Sequence, residues 1–273
     1  MTPFELVEPG SLPEAISLLQ GEGVRALSGG TALMLMMKAG VLRPTRLVSL
    51  RRLGLERIAA NGELRIGAMT TLGALERSAA VKKGWPVITR TLRTLSNVRV
   101  RNVATVGGAL AHADPHMDLP PLLTALGARV TIAGPRGERS VPVETLYAGY
   151  LENTLQSGEV ITEVVVPALG ERRAVYLKCT TRSADDWPAV GIAVLLDGND
   201  VRAVLGAATD RPTRLLSAEG VLKANPNALK EAANAAAEEV AIESDLHGSA
   251  AYKKQLLRVY LQRAIREARN AVR

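Results

Sequence analysis

The sequence predicts an α+β protein in two parts, and three observations support this. A chain of 273 residues, 47% of them hydrophobic, can bury one large core or two modest ones. Strand-like and helix-like segments are mixed through residues 1–167. Beyond Pro167, three consecutive strand-like segments precede two helical ones, the order typical of an antiparallel sheet covered by helices. We therefore expect a boundary near residues 168–170, with parts spanning 1–168 and 169–273.

The elements of the first part follow from local composition. A proline at the first turn predicts a helix over residues 13–19, introduced by Ser11 or Leu12 and ended near Gly21. The apolar segment 24–27 then leads through a glycine pair to a helix-favouring run at 32–38. Alternating apolar residues and turn residues predict strands at 46–50, 63–68 and 160–167, helices at 71–77 and 87–95, and a hairpin of 128–133 with 139–143.

The second part is predicted as a sheet followed by helices. Strands are expected around residues 174–181, 189–196 and 201–208, and helices at 227–241 and 249–269. In the last helix Leu257, Leu261 and Ile265 recur every four residues, so the many basic residues there form its solvated face. A surface for a membrane or an acidic partner is the alternative interpretation of those charges.

Composition excludes several classes of protein. The net charge is +7, but arginines are scattered from Arg25 to Arg273 among glutamates, and aromatic residues make up only 3%. That distribution does not favour nucleic-acid binding, which uses basic stripes and stacking aromatics. No stretch reaches the roughly 18 to 20 uncharged apolar residues that cross a bilayer, and the basic start of a secretory signal is missing. A cytoplasmic protein is expected.

Cys179 is the single cysteine of the chain. A [2Fe–2S] cluster normally needs four thiolates, so this chain cannot hold one by itself. An intramolecular disulfide is also excluded, in keeping with a reducing compartment.

Two glycine pairs are the strongest local motifs. Ser28-Gly29-Gly30-Thr31 and Thr105-Val106-Gly107-Gly108 can each present backbone N–H groups to a phosphate without obstruction by side chains. Thr31 is predicted to cap the helix that follows the first pair. Together they indicate a dinucleotide held between two loops, although either pair alone is also typical of a plain turn.

A competing constellation lies just beyond the second pair. His112, Asp114, His116 and Asp118 occur at every second residue, and in a regular strand they would project from one face like metal ligands. Pro115 disfavours a regular strand there, so no metal site is predicted.

The longer passage around the second pair resembles a known family. Val100-Arg101-Asn102, Gly107-Gly108, His112-Ala113-Asp114-Pro115 and Asp118 are similar, in this order, to the FAD-binding (medium) subunit of molybdenum hydroxylases. That family includes aerobic carbon monoxide dehydrogenase and the flavin part of xanthine dehydrogenase. Residues 27–38 resemble its first pyrophosphate loop, and Tyr176-Leu177-Lys178 with Arg182 and Asp186-Trp187 resemble a later flavin-side segment. The resemblance implies a PCMH-type FAD-binding part of two α+β lobes, about 1–55 and 56–168, ahead of the smaller antiparallel domain.

The resemblance also implies the cofactor contacts. Asp118 corresponds to a carboxylate that accepts hydrogen bonds from the adenosine half, Lys178 to a lysine near the flavin, and Ile161 to an apolar backbone contact. His116, Met117 and Ala109 depart from the residues common in the family, and Ala109 replaces a polar contact. No residue is assigned a catalytic role. The expected cofactor-binding residues are Ala26, Leu27, Ser28, Gly29, Gly30, Thr31, Ala32, Leu33, Thr105, Val106, Gly107, Gly108, Ala109, His112, Asp114, Asp118, Ile161 and Lys178.

The function implied by the resemblance is electron transfer. FAD on this chain would accept electrons from the [2Fe–2S] clusters of a small partner subunit, while a large molybdopterin-binding subunit oxidises the substrate. A dimer of such heterotrimers is the implied assembly. Two alternatives stay open: an assembly or regulatory subunit with a degenerate FAD site, and a stand-alone FAD-dependent reductase. The sequence leaves the substrate open among carbon monoxide, aldehydes, purines and N-heterocycles, and it does not name the electron acceptor.

Overall fold

The computed structural model describes residues 2–271. Its helices are α1 Leu12–Leu18, α2 Leu33–Lys38, α3 Leu72–Arg77, α4 Ala79–Gly84, α5 Pro86–Thr94, α6 Val98–Arg101, α7 Val106–His112, α8 Leu119–Ala125, α9 Leu216–Ala224, α10 Leu229–Glu239 and α11 Ala250–Asn270. Its strands are β1 Glu5–Val7, β2 Val24–Leu27, β3 Arg46–Ser49, β4 Ile58–Asn61, β5 Glu63–Gly67, β6 Arg129–Gly134, β7 Gly137–Pro142, β8 Tyr147–Gly149, β9 Glu152–Asn153, β10 Val160–Val166, β11 Arg173–Cys179, β12 Val190–Asp197, β13 Asp200–Gly206 and β14 Thr213–Arg214. Among these residues no helix is long and apolar enough to cross a membrane.

A small parallel sheet opens the chain. Its strand order is β1-β3-β2, and each crossover is made by one short helix, α1 or α2. Ser11 caps α1 by accepting a hydrogen bond from the Glu14 N–H, which confirms one of the two predicted starts of this helix. Because parallel strands share a direction, the segment after β2 emerges at the carboxyl edge of this sheet.

A five-stranded antiparallel sheet of order β4-β5-β10-β6-β7 follows. β10 pairs with β5 and β6, so a strand distant in sequence from β5 completes the sheet at its centre. The predicted hairpin is confirmed as β6 and β7, which pair from Arg129↔Pro142 to Gly134↔Gly137. Helices α3, α5, α7 and α8 contribute to the apolar core that this sheet buries, through residues such as Leu72, Leu92, Leu110 and Leu122.

The third sheet has the order β11-β12-β13-β14 and is antiparallel, as predicted. Residues Val190–Leu196 of β12 are all buried, because both faces of this sheet are covered. Ile192 and Val194 belong to the apolar core that this sheet shares with α9, α10 and α11, whereas Ala193 packs with Ala125 at the end of α8. Helix α8 therefore joins the core of the second sheet to the back of the third.

The sequence prediction missed several elements. Helix α9, which contains Gly220, was not expected, and neither were α7 and α8, which begin at the glycine pair and at Pro120-Pro121. Glycine and proline are poor helix formers in the interior, but Pro120 and Pro121 occupy the first turn of α8, where no N–H is needed.

Candidate functional site

The first glycine segment, residues 28–33, lies between β2 and α2 at the edge of the parallel sheet. Gly30 has φ +70°, a conformation that glycine adopts without the strain of a Cβ. The Met34 N–H bonds to the Gly30 carbonyl at 3.0 Å, so the turn leads directly into α2. Within residues 2–271 the six backbone N–H groups of this segment have no hydrogen-bond acceptor. All six residues are half-buried, so the segment remains partly exposed to solvent.

The predicted cap of α2 is wrong. The residue at the N-cap of α2 is Ala32, already in the helical region, and no side chain caps this end. Thr31 lies one residue before this N-cap position. The Thr31 hydroxyl is therefore not used by the helix end.

The second glycine segment, residues 105–108, forms the start of α7 and is held differently. The Thr105 hydroxyl caps α7 by accepting the Gly108 N–H at 3.1 Å. The Val106 N–H donates to the Thr70 carbonyl at 2.9 Å, and the Gly107 N–H to the Ala68 carbonyl at 2.8 Å. Most backbone donors of this segment are thus already bound within the protein.

The two glycine segments contact each other because their glycines lack side chains. A Cβ on Gly29 would lie 2.2 Å from the Val103 carbonyl oxygen, and one on Gly108 would lie 2.5 Å from Ser28 Oγ. A Cβ on Gly107 would meet Ala68 at 2.6 Å. The structure therefore brings the two predicted loops together and explains why glycine is needed at these positions.

Arg101 holds the turn ahead of the second segment. Its guanidinium donates to Glu76 Oε2 at 2.8 Å and to the Ser96 carbonyl at 2.5 Å, and Ser96 has φ +54°. The motif residue Arg101 thus has a structural role in fixing the chain that leads to Thr105.

Asp118 and Lys178 form a buried ion pair between α8 and β11. Lys178 Nζ lies 2.9 Å from Asp118 Oδ2, and the two side chains are only 7% and 5% exposed. The Tyr176 hydroxyl donates to Asp118 Oδ1 at 2.6 Å. The ammonium also donates to the carbonyls of Thr94 and Asp186, at 2.8 and 3.0 Å. Two residues that the sequence assigned separately to the cofactor are therefore each other's partners.

The electrostatics of this pair follow from burial. Desolvation raises the pKa of Asp118 above its ordinary value, while Lys178 and the Tyr176 hydroxyl oppose part of that rise. Burial beside the Asp118 carboxylate also raises the pKa of Tyr176 well above 10, so its hydroxyl stays protonated as a donor. The pair positions an ammonium at the junction of the second and third sheets.

The alternating histidines and aspartates do not lie on a strand. His112 ends α7, Asp118 occupies the N-cap position of α8, and the residues between them form a turn. Asp114 and His116 interact with each other at 3.1 Å, while Asp118 binds Lys178 instead. No group of three or more potential ligands within residues 2–271 has the geometry of a metal site.

The other predicted cofactor-binding residues lie in β2, α2, α7 and β10. Ala26 and Leu27 are the last residues of β2, and Leu33 begins α2. Ala109 is buried on α7. Ile161 lies in β10, where it is 4% exposed and part of the core of the second sheet, next to a register shift between Ile161 and Glu163.

Sequence reasoning missed three partners in this region. The Tyr176 hydroxyl and the carbonyls of Thr94 and Asp186 bind the Asp118–Lys178 pair. Tyr176 and Asp186 lie in the segment that resembles the family, but Thr94 gave no signal. Asp245, which contacts His116 at 3.2 Å, is 129 residues away in sequence and gave none.

Comparison with known families matches almost the whole chain. Residues 2–169 match the FAD binding domain in molybdopterin dehydrogenase, and residues 175–268 match the CO dehydrogenase flavoprotein C-terminal domain.

Individual relatives give the same result. The glyceraldehyde dehydrogenase medium chain of Sulfolobus acidocaldarius is 32% identical, with 97% of this chain and 98% of that protein covered. The carbon monoxide dehydrogenase medium chain of Hydrogenophaga pseudoflava is also 32% identical, with 97% and 96% covered. Among solved structures, CO dehydrogenase from Oligotropha carboxidovorans superposes with a TM-score of 0.93 at 30% identity, covering 99% of both chains. Quinoline 2-oxidoreductase from Pseudomonas putida gives a TM-score of 0.90 at 30% identity, covering 98% of both chains.

The fold and the full-length similarity define an FAD-binding component of an oxidoreductase, which confirms the predicted α+β class and cofactor. The chain belongs to the family of FAD-binding medium subunits of molybdenum hydroxylases, to which the carbon monoxide dehydrogenase and xanthine dehydrogenase subunits belong.

Proposed function

We propose that this chain transfers electrons through FAD, from the [2Fe–2S] clusters of a small partner subunit to an external acceptor, while a large molybdopterin-binding subunit oxidises the substrate. The observation that carries the proposal is the first glycine segment, where six consecutive N–H groups lack an acceptor within residues 2–271. Buried or half-buried donors of this kind are satisfied by a ligand or by water.

The residues of the first glycine segment suit the pyrophosphate of FAD. Backbone N–H groups ahead of a helix stabilise phosphate oxygens without adding side-chain charge, and glycine allows the close approach. Ala26, Leu27 and residues 28–33 would hold the pyrophosphate. Residues 105–109 would form the opposite wall, because they lie in contact with the first segment and are fixed by the core.

The Asp118–Lys178 pair supports binding of the remainder of the cofactor. Bound FAD supplies the redox chemistry, so the protein has to bind it, orient it and tune its electronics. Lys178 lies buried between two sheets beside Asp118, and a cationic side chain at this position would favour negative charge on a nearby ligand. We assign His112, Asp114, Asp118, Ile161 and Lys178 to this side of the site.

The single cysteine supports the division of labour among subunits. Cys179 alone cannot ligate a [2Fe–2S] cluster, which takes four thiolates, so clusters would be held on another chain. Relatives named as medium chains or medium subunits are consistent with such complexes. We propose a dimer of heterotrimers, and the mass and subunit content of the complex purified through a tag on this chain would test it.

We further propose that the FAD-binding part spans residues 1–168, in lobes of about 1–55 and 56–168, and that 169–273 form the C-terminal domain. The three larger sheets, one in each of these segments, support this division. A cytoplasmic location completes the proposal, since a chain without a cysteine pair suits a reducing compartment.

Titration of the full chain with FAD, followed by absorption and flavin fluorescence, tests the cofactor site. Gly30→Ala should weaken FAD binding about tenfold, because a Cβ at φ +70° strains the turn and meets Leu27 at 3.1 Å. Gly62→Ala is the matched control. Gly62 has φ +78°, with nothing within 4 Å of an added Cβ, in the turn between β4 and β5. It should lose similar stability and keep its FAD affinity.

The outcomes separate the alternatives. Failure of the wild-type chain to bind FAD at any concentration would contradict the proposal and favour an assembly or regulatory subunit. Reduction of the bound FAD by NAD(P)H without partner subunits would favour a stand-alone reductase. Reduction only in the presence of the partners and the substrate is the result that we expect.

A further inference from the structure

His116 bridges two regions that are distant in sequence. Its Nδ1 lies 3.1 Å from Asp114 Oδ1, and its Nε2 lies 3.2 Å from Asp245 Oδ2. The His116 N–H also donates to Asp114 Oδ1 at 2.9 Å. The imidazole therefore joins the 112–118 segment, which connects α7 to α8, to the 245–248 hairpin, which precedes α11.

Asp245 is fixed by further contacts with α11 and within its own hairpin. Lys253, only 1% exposed on α11, contacts Asp245 Oδ2 at 2.5 Å, and the His247 N–H donates to Asp245 Oδ1 at 2.8 Å. Burial raises the pKa of Asp245, but the contacts with Lys253, His247 and His116 lower it below the usual range. The carboxylate therefore stays ionised and faces the imidazole.

The geometry requires a protonated imidazole. Each ring nitrogen of His116 faces a carboxylate oxygen, and a neutral ring could donate to only one of them. The other nitrogen would then present its lone pair to an anion. With His116 protonated, two carboxylates balance one imidazolium and the Lys253 ammonium, and every contact is attractive.

Two aromatic rings and a further histidine lie around the His116–Asp114 contact. The rings of Trp187 and His247 lie 5.4 and 5.1 Å from its ring. His112 lies 3.8 Å from the other oxygen of Asp114, and its own pKa is lowered by burial. Burial alone would lower the pKa of His116, but the hydrogen bonds and charges of Asp114 and Asp245 outweigh it and raise that pKa above its ordinary value.

The bridge matters because the 112–118 segment ends at Asp118. The third sheet binds this segment at two further points. The Ala207 N–H donates to the Pro115 carbonyl at 2.9 Å, and Lys178 pairs with Asp118. Of these three contacts, the His116 contact is the one that involves a histidine, whose ordinary pKa lies near neutral pH.

We propose that His116 is a positioning residue, whose imidazolium fastens the 112–118 segment to the 245–248 hairpin and thereby holds Asp118 in the geometry that binds FAD. This inference rests on the proposed function and deepens it. Because the pKa of His116 is raised on folding, its stabilisation is fully present below the ordinary histidine pKa of about 6.5 and is lost as pH rises through the higher, folded value. FAD affinity should decline in the same window.

The test measures the Kd for FAD of the full chain at about pH 6 and about pH 8.5. Wild type should bind FAD about fivefold or more weakly at the higher pH. His116→Gln should bind weakly at both values and lose this dependence. His247→Gln is the matched control, since His247 lies in the same hairpin and its ring contacts His116 without bridging two carboxylates. It should keep the wild-type profile.

NMR of the wild-type histidine ring signals gives a second measurement that does not need a variant to fold. The signal that disappears in His116→Gln should titrate above about pH 6.5. A chain that binds FAD equally well at both pH values, a His116→Gln variant with the wild-type profile, or a His116 that titrates below its ordinary value would each overturn the positioning role. Absence of FAD binding at either pH would instead overturn the proposed function, and the positioning role with it.

Discussion

The two glycine segments touch each other but differ in what their backbone groups bind. Residues 28–33 are half-buried, and their N–H groups have no acceptor within the described chain. At residues 105–108, by contrast, the first three residues are buried. The Val106 and Gly107 N–H groups donate to the carbonyls of Thr70 and Ala68, respectively. The Gly108 N–H donates to the Thr105 hydroxyl. Two motifs that look alike in sequence thus serve two purposes. In the first, we propose, the N–H groups are available to FAD, whereas the second anchors the start of α7 through bonds within the protein.

The same contrast extends to Asp118 and Lys178. Like the second segment, they are satisfied by groups within the protein, at distances between 2.6 and 3.0 Å. Changes on the satisfied side should therefore affect folding first, whereas changes on the first segment should affect FAD binding first.

Lys178→Met should have the largest effect. It leaves the Asp118 carboxylate buried without its ion-pair partner, and the free energy of unfolding should fall by about 3–5 kcal/mol. Urea unfolding followed by circular dichroism measures this. The double variant with Asp118→Asn should recover part of the loss, because no unpaired charge is then buried. A single variant as stable as wild type would contradict the idea that this region is internally satisfied.

Gly29→Ala should have the second-largest effect, because the missing side chain of Gly29 allows the two segments to contact each other. The added Cβ would lie 2.2 Å from the Val103 carbonyl oxygen, so the segments must separate, at a cost of about 1–3 kcal/mol. Thermal unfolding and FAD titration should both register the change. Gly220→Ala is the control, since nothing lies within 4 Å of a Cβ there and alanine favours helix α9. Equal FAD affinity in the two variants would show that the contact is not required.

Thr105→Ala should destabilise the protein by about 1 kcal/mol through loss of the cap of α7. Chemical denaturation measures this difference. The effect on FAD affinity should be secondary to it, and a normal stability with greatly weakened FAD binding would reverse the roles assigned to the two segments.

Thr31→Ala should have the smallest effect on stability, within about 0.5 kcal/mol, because this hydroxyl caps no helix. If the hydroxyl binds the pyrophosphate, the free energy of FAD binding should become less favourable by about 1 kcal/mol, which weakens the affinity several-fold. Isothermal titration with FAD measures it. A destabilisation as large as that of Thr105→Ala would mean that the two threonines are equivalent.

Local chemistry made much of the fold predictable. The turn residues Gly134-Pro135-Arg136-Gly137 identified the β6–β7 hairpin, and the apolar run ending at Pro167 identified β10 as a strand, although not its central place in the sheet. Helix α7 was not predicted because its first turn contains Gly107 and Gly108, which have low helix propensity. These glycines are needed for contacts with Ala68 and Ser28, which are distant in sequence and which local patterns do not reveal.

The sequence by itself determined that the chain has two glycine pairs suited to phosphate, too few cysteines for a cluster, and an ordered set of motifs similar to one family. These are properties of residue type and spacing, which need no folded context. Only the tertiary structure decided which glycine segment keeps its N–H groups available, that Asp118 binds Lys178, and that His116 reaches Asp245 across 129 residues. Each of these depends on which groups the folded chain brings within hydrogen-bond distance, and the spacing of residues along the sequence does not fix that.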